Sequence, residues 1–133
     1  MAAAFAGEDT GPARDLRARA LELAERELTA YVPVLEAGRL PKDDPTRAEK
    51  LDRALSDAAD SPLEIARTAA EVAQLATELV AKGKPSLVGD ANTGAELARA
   101  ACRASARLVE INLFAHPDDP RLAEARKLVE DGP

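Results

Sequence analysis

Apolar residues recur every three or four positions over most of this chain, and this spacing limits the folds open to it more than any other feature. The clearest series is Ile65, Ala69, Val72, Ala76 and Leu79. Such spacing places the side chains on one face of an α-helix. Runs of β-branched residues, which favour strands, are absent from the sequence. The sequence therefore predicts an all-α fold.

Capping and turn residues divide the chain into about five helices. The first is expected over about 12–37, with Gly38 as its C-cap. Pro33 lies inside this segment and lacks a backbone N–H, so we expect a kink or a break there. After the turn PKDDP, Asp44 as N-cap and Pro45 at the first helical position predict the start of the second helix.

The third helix has the clearest predicted start. Ser61 and Glu64, with Pro62 between them, match a capping box, and Gly83 ends the helix. Asp90 is the expected N-cap of the fourth helix.

Two apolar stripes run along the fourth helix. Because apolar residues thus cover most of the circumference of this helix, we predict a central position for it in the fold. One stripe comprises Leu97, Ala101, Ala104, Leu108 and Ile111, and the other Ala91, Ala95, Ala98, Cys102, Ser105 and Val109.

The last helix is expected over 120–130, after the turn HPDDP. Short loops between long helices make neighbours antiparallel. We therefore predict an up-and-down antiparallel helical bundle in one domain, 1–133, with residues 1–11 as a loose segment.

Composition excludes several classes of function. The net charge of −6 disfavours nucleic acid and anionic membranes as partners. No apolar stretch approaches the roughly 20 residues that span a bilayer. One cysteine permits no internal disulfide and favours a reducing compartment, so we expect a cytoplasmic protein. With one histidine and one cysteine, a His-rich or four-cysteine metal site is excluded, and Cys102 is interpreted as a small buried hydrophobe.

Glu27 is the one carboxylate that falls within the apolar arc of the first helix. Leu21, Ala24, Leu28, Tyr31 and Leu35 form one stripe of that arc, and Leu16, Ala20, Leu23, Ala30 and Val34 widen it. An unpaired buried carboxylate costs several kcal/mol. Either Glu27 pairs with an arginine or reaches the bundle edge, or it transfers protons in a cleft between helices.

The segment SPLEIARTAAEVAQLATELVAKGKPSLVGDANTGAELARAACRASARLVEINL resembles the cyclodeaminase/cyclohydrolase family. This family comprises the C-terminal domain of formiminotransferase-cyclodeaminase and the methenyltetrahydrofolate cyclohydrolases. Its pattern is a PLEIA-like helix start, a helix ending in KGN, then SD opening an Ala-rich helix that finishes NVxINL. RLPKDDPTRAEK is similar to the family's LPKxTxEEK turn, and the likeness extends over about 13–113.

The resemblance also implies site residues. The family's DADAxAF segment aligns with ERELTAY, which places its second aspartate at Glu27. Asp90 matches the aspartate of SD, and Asn112 matches the second asparagine of NVxINL. By resemblance, Glu27 and Asp90 are catalytic and Asn112 binds substrate. The first asparagine of NVxINL is Leu108 here, and the family's opening helix with its PGGGS loop has no counterpart.

The resemblance implies a homodimeric domain that acts on a tetrahydrofolate derivative as substrate, without a further cofactor. The reaction is release of ammonia from the 5-formimino form or hydrolysis of the methenyl form. The alternative is an inactive relative that serves as a helical dimerisation or binding module. Without the opening helix, the bundle is expected to leave an apolar groove, which also favours a dimer.

Overall fold

The computed structural model describes residues 10–83 and 85–132, and in those residues it contains helices and no strand. The helices are α1 (Gly11–Ala30), α2 (Val32–Arg39), α3 (Arg47–Ala58), α4 (Asp60–Lys82), α5 (Val88–Asn112) and α6 (Pro120–Glu130). A 3₁₀ turn, Pro85–Leu87, precedes α5. The predicted all-α bundle is confirmed. Only Tyr31 separates α1 from α2 and only Ala59 separates α3 from α4, so the six segments form four helical units rather than five. Most of the segment predicted to be loose, 1–11, lies outside the described residues.

The centre of the bundle is the pair α4 and α5, which pack along most of their lengths. Helix α1 packs on α4, α2 on α3, and α6 on both α4 and α5. The main core cluster is rich in small side chains, which allow the helices to approach closely. It comprises Ala59, Leu63, Ala106, Val109, Leu113, Leu122 and Ala125.

The first predicted helix is interrupted at Tyr31, two residues before Pro33. Tyr31 ends α1, and its N–H donates to Thr29 O in a tightened turn. Pro33 then occupies the first turn of α2, where a missing N–H costs no helical hydrogen bond. The predicted break is therefore confirmed. The expected C-cap was wrong, because Gly38 lies inside α2 and Leu40 is the cap.

Three predicted helix starts were wrong in detail. Asp44 caps a turn rather than α3: its Oδ1 accepts hydrogen bonds from Thr46 N and Oγ1, both at 2.7 Å, and α3 begins at Arg47. Asp90 lies in the first turn of α5 rather than at its N-cap, because the 3₁₀ turn runs directly into Val88.

The predicted capping box at Ser61 is also absent. Ala59 has helical dihedrals (φ −73°, ψ −21°), so α3 continues almost directly into α4 and Ser61 lies within the first turn of α4. An N-cap needs extended backbone, which is not available at this junction. By contrast, α6 begins as predicted, at Pro120 with Asp119 as N-cap, and its side chain accepts a hydrogen bond from Arg121 N at 2.9 Å. Gly83 caps the end of α4 as predicted.

Helices α5 and α1 each carry two apolar stripes, and in each helix only one of the two stripes is buried. On α5 the stripe that contains Ala95, Cys102 and Val109 is buried, whereas Leu97 and Ile111 are 68% and 53% exposed. On α1 and α2 the buried residues are Leu16, Leu23, Val34 and Ala37, and the other stripe is exposed at Leu21, Leu28, Tyr31 and Leu35. The bundle thus presents two apolar stripes at its surface.

Candidate functional site

Glu27 lies near the C-terminal end of α1 and is half-buried. Its Oε2 is buried and accepts no hydrogen bond from the described residues. Pairing of Glu27 with an arginine, one form of the structural alternative, is therefore not observed among the described residues. The other form, a position at the edge of the bundle, agrees with its partial exposure. A buried, unpaired carboxylate oxygen costs free energy, and such sites in proteins call for a specific explanation.

Two cavities flank this part of α1. Leu23, one turn before Glu27, lines an apolar groove with a volume of about 310 Å³. Ala30, three residues after Glu27, lines a polar cleft of about 420 Å³. Glu27 itself lines neither cavity, although residues one turn before and after it on α1 do.

The apolar groove lies between three helices. Helix α1 and helix α5 form its walls and α4 its floor, and Thr68 is its only lining side chain with a polar group. The groove is lined by Ala20, Leu23, Ile65, Thr68, Ala69, Val72, Gly94, Leu97, Ala98 and Ala101.

The structure separates the other two candidate residues. Asp90 is exposed in the first turn of α5. Asn112 is buried at the last turn, and its Nδ2 donates to Ala58 O at 3.1 Å. Twenty-two residues at 1.5 Å per residue place Asp90 and Asn112 about 33 Å apart along the helix. One copy of the chain therefore does not bring Glu27, Asp90 and Asn112 into one site.

The polar cleft lies where α1, α3, α4 and α6 meet, and no pattern in the sequence indicated it. Arg67 on α4 donates to both oxygens of Glu124 on α6, at 2.6 and 2.8 Å, and also to Glu64. The Arg67 guanidinium lowers the pKa of the Glu124 carboxyl. Only the pair of Glu64 and Arg67, with i,i+3 spacing, was visible in the sequence.

Arg121 of α6 also lines the cleft. It donates to both carboxylate oxygens of Asp119, to Asp60, and to Ser56 O and Oγ. These contacts lower the pKa of Asp119 to about 2. Because the partners of Arg121 are up to 65 residues away in the sequence, spacing gave no signal for this network.

Cys102 is buried, as predicted, and its Sγ donates to Leu128 O at 3.7 Å. Burial raises the pKa of the Cys102 thiol, which keeps it in the neutral form. Within 10–83 and 85–132, no group of three or more His, Cys, Asp and Glu side chains is placed to hold a metal ion.

Comparison with known proteins assigns the family. The family model described as formiminotransferase-cyclodeaminase matches residues 7–131. A search of the curated proteins finds no match. Among the helices of the described part of the chain, none is long and apolar enough to cross a membrane. Since the match covers nearly the whole sequence, the chain belongs to the formiminotransferase-cyclodeaminase family.

Proposed function

We propose that this protein transfers protons on a one-carbon derivative of tetrahydrofolate, as a cyclodeaminase or a cyclohydrolase, with Glu27 as the acid/base group. The observation that carries the proposal is the buried Oε2 of Glu27, which has no partner in the described residues. Membership of the formiminotransferase-cyclodeaminase family supports the substrate class. The substrate itself supplies the one-carbon unit, so the proposal requires no further cofactor.

Both reactions need proton transfer at a folate nitrogen beside an electron-poor carbon. A cyclodeaminase must protonate the leaving ammonia as the ring closes, and a cyclohydrolase must remove a proton from the attacking water. A carboxylate that accepts no hydrogen bond from the protein is free to exchange a proton with a bound substrate. No described residue donates a hydrogen bond to Glu27, so its carboxylate is a candidate for this exchange. The apolar groove lined by Leu23, one turn away, offers walls for a flat ring.

Asp90 and Asn112 join this site only if a second copy contributes one of them. We propose a homodimer in the cytoplasm in which the exposed stripe of α5 packs against the same stripe of a second copy. Leu97 and Ala101 of this stripe also line the apolar groove, so the substrate ring would lie at the interface between the two copies. In an antiparallel pairing centred near Ala101, Asp90 of one copy lies level with Asn112 of the other. Asp90 then supports Glu27. Asn112 donates to Ala58 O in the single chain, so this amide would bind substrate only after that hydrogen bond breaks.

The exposed apolar residues support a dimer because a large apolar surface on one protein favours association. Sedimentation is expected to give a dimer that dissociates on dilution. Leu97→Asp should shift the equilibrium to monomer, because Leu97 is 68% exposed in the single chain. Asn92→Asp, an equal change of charge at another exposed position on α5, is the control. A monomer at all concentrations would contradict the dimer.

Turnover tests the proposed chemistry. The wild-type protein should consume methenyltetrahydrofolate or release ammonia from 5-formiminotetrahydrofolate, followed by absorbance and by an ammonia assay. Loss of a general acid/base is expected to lower the rate by about 10²–10⁴-fold, so Glu27→Gln should have little activity. Glu22→Gln, on an exposed position of the same helix, should retain the wild-type rate.

A second candidate function is that of a non-catalytic helical binding module. The observation that favours it is the extent of exposed apolar surface, with Leu28 81% and Phe114 89% exposed. An inactive wild-type protein that nevertheless forms a stable assembly would support this candidate. Activity that depends on Glu27 would exclude it.

A further inference from the structure

The α5 wall of the apolar groove contains a glycine that the described residues do not explain. Gly94 lies in the interior of a 25-residue helix and lines the groove. A Cβ atom at this position would meet nothing within 4 Å in the described residues. Glycine destabilises a helix interior relative to alanine, so a glycine there calls for a reason. A segment that packs closely on this wall would supply one.

The rest of the groove selects an apolar occupant. None of its lining residues is charged, and Leu97 on its rim is 68% exposed. Thr68 is the one lining residue with a hydroxyl group, and this group already donates to Glu64 O at 3.0 Å. An occupant with charged side chains would therefore lose its hydration without gaining a partner.

The first six residues of the sequence, MAAAFA, have the required chemistry. None of their side chains is polar or charged, and Phe5 supplies an aromatic ring. These residues lie outside the described part of the chain, which begins at Thr10. They also precede the family match, which begins at residue 7.

The chain between these residues and α1 is long enough to reach the groove. Ala20, the first groove residue on α1, lies ten residues after Thr10, or about 15 Å along the helix. Five extended residues span up to about 17 Å, so Phe5 can reach the level of Ala20. Pro12, in the first turn of α1, prevents the helix from continuing upstream without a kink. The chain is therefore expected to change direction there.

We propose that residues 1–6 bind in the apolar groove of their own chain, with Phe5 packed near Gly94, and that they regulate the site by competing with the substrate ring. The contact itself requires only the groove and the apolar segment. The regulation rests on the proposed function, because it assumes that a folate ring uses the same walls.

A nitroxide on a cysteine at Ala3, in the full chain with Cys102→Ala, tests the contact. It should broaden the amide signals of Gly94 and Leu97. It should leave Asn112 sharp, since 18 residues place Asn112 about 27 Å further along α5. Phe5→Asp should restore sharp signals at the groove, whereas Thr10→Asp, an equal change of charge outside the groove, should not. Sharp signals at Gly94 and Leu97 in the labelled protein would overturn the proposal.

A mixture of two samples tests whether the contact is within one chain. Spin-labelled protein without ¹⁵N is mixed with unlabelled ¹⁵N protein. The ¹⁵N signals of Gly94 and Leu97 should stay sharp. Broadening in this mixture would place the segment in the groove of a second copy and contradict the proposal.

Gly94→Ala tests the contact without a label. In the Phe5→Asp background the new methyl group has open space, and alanine should raise the melting temperature. With Phe5 in place, the methyl group meets the segment, so the rise should be smaller or reversed. An equal rise in both backgrounds would contradict the packing of Phe5 near Gly94.

Turnover tests the regulation. If the segment fills the groove in about nine molecules of ten, Phe5→Asp should lower the apparent KM for methenyltetrahydrofolate about tenfold and leave kcat unchanged. An unchanged KM in an active protein would contradict the regulation. A wild-type protein without turnover, but with a broadened Gly94 signal, would contradict the proposed function and leave the contact supported.

Discussion

Helix α6 packs on both α4 and α5, and helix α1 packs on α4, but the two helices are attached in different ways. On α6, Leu122 and Ala125 are buried in the main core, and ion pairs link Glu124 and Arg121 to α4. On α1, only Leu16 and Leu23 are buried, and one ion pair, Arg19 with Glu71, links the helix to α4.

The polar groups of α6 are also better satisfied by hydrogen bonds and ion pairs than those of α1. Each charged group that α6 turns toward α4 has its partner, whereas α1 carries a buried carboxylate oxygen, on Glu27, with none in the described residues. Helix α1 also exposes Leu28. A satisfied network of this kind stabilises the fold, and unsatisfied groups are expected where a ligand or a second chain binds. The proposed function therefore predicts a structural role for α6 and a functional role for α1.

The largest expected effect compares one leucine from each helix. Leu122→Ala should lower the free energy of unfolding by about 2–5 kcal/mol, because the side chain is 5% exposed and its removal leaves a cavity. Leu28→Ala should change the stability of the single chain by less than about 0.5 kcal/mol, because Leu28 is already in solvent. Urea unfolding at low protein concentration measures both. A similar loss in the two variants would mean that α1 is packed as tightly as α6.

The pH dependence of stability tests the network on α6. Arg121 holds the pKa of Asp119 at about 2, below the ordinary value of an aspartate near 3.9. Because the pKa of Asp119 is lower in the folded protein than in the unfolded chain, the ionised carboxylate stabilises the fold at pH values above about 4. This contribution is lost as the pH falls from about 4 to about 2. Asp119→Asn should therefore flatten the fall in melting temperature over this range.

The control for this measurement is Asp118→Asn, an exposed neighbour in the same turn. It should melt with the same pH dependence as the wild type. If the melting temperature of Asp119→Asn fell between about pH 4 and pH 2 as much as that of the wild type, the ion pair would contribute nothing to stability.

Much of the fold could be predicted because its signals are local. The three-to-four spacing indicates helices, Pro33 removes one N–H, and Asp119 caps the residue two positions ahead. The depth of burial was not predictable in the same way. Helix α5 has two apolar stripes, and which one is buried depends on where α4 and α6 pack. The missing capping box has a similar cause, since a helical Ala59 joins α3 to α4.

The candidate site was predictable only in part. The helical phase identified Glu27 as a carboxylate on an apolar arc, because phase is a local property. Whether Glu27 has a partner depends on residues far away in the sequence. The same holds for Arg67 and Glu124, which are 57 positions apart, and for the polar cleft that Arg67 lines.

The most direct test of the central claim compares Glu27→Gln with Glu124→Gln by thermal melting at neutral pH. Glu124→Gln should lower stability by up to about 1 kcal/mol, since it breaks a partly exposed ion pair with Arg67. Glu27→Gln should melt at or above the wild-type temperature, because an amide keeps the shape of the side chain and removes the cost of a buried charge. A melting temperature for Glu27→Gln that falls as far as that of Glu124→Gln would show that Glu27 is a paired structural carboxylate, and would contradict the account.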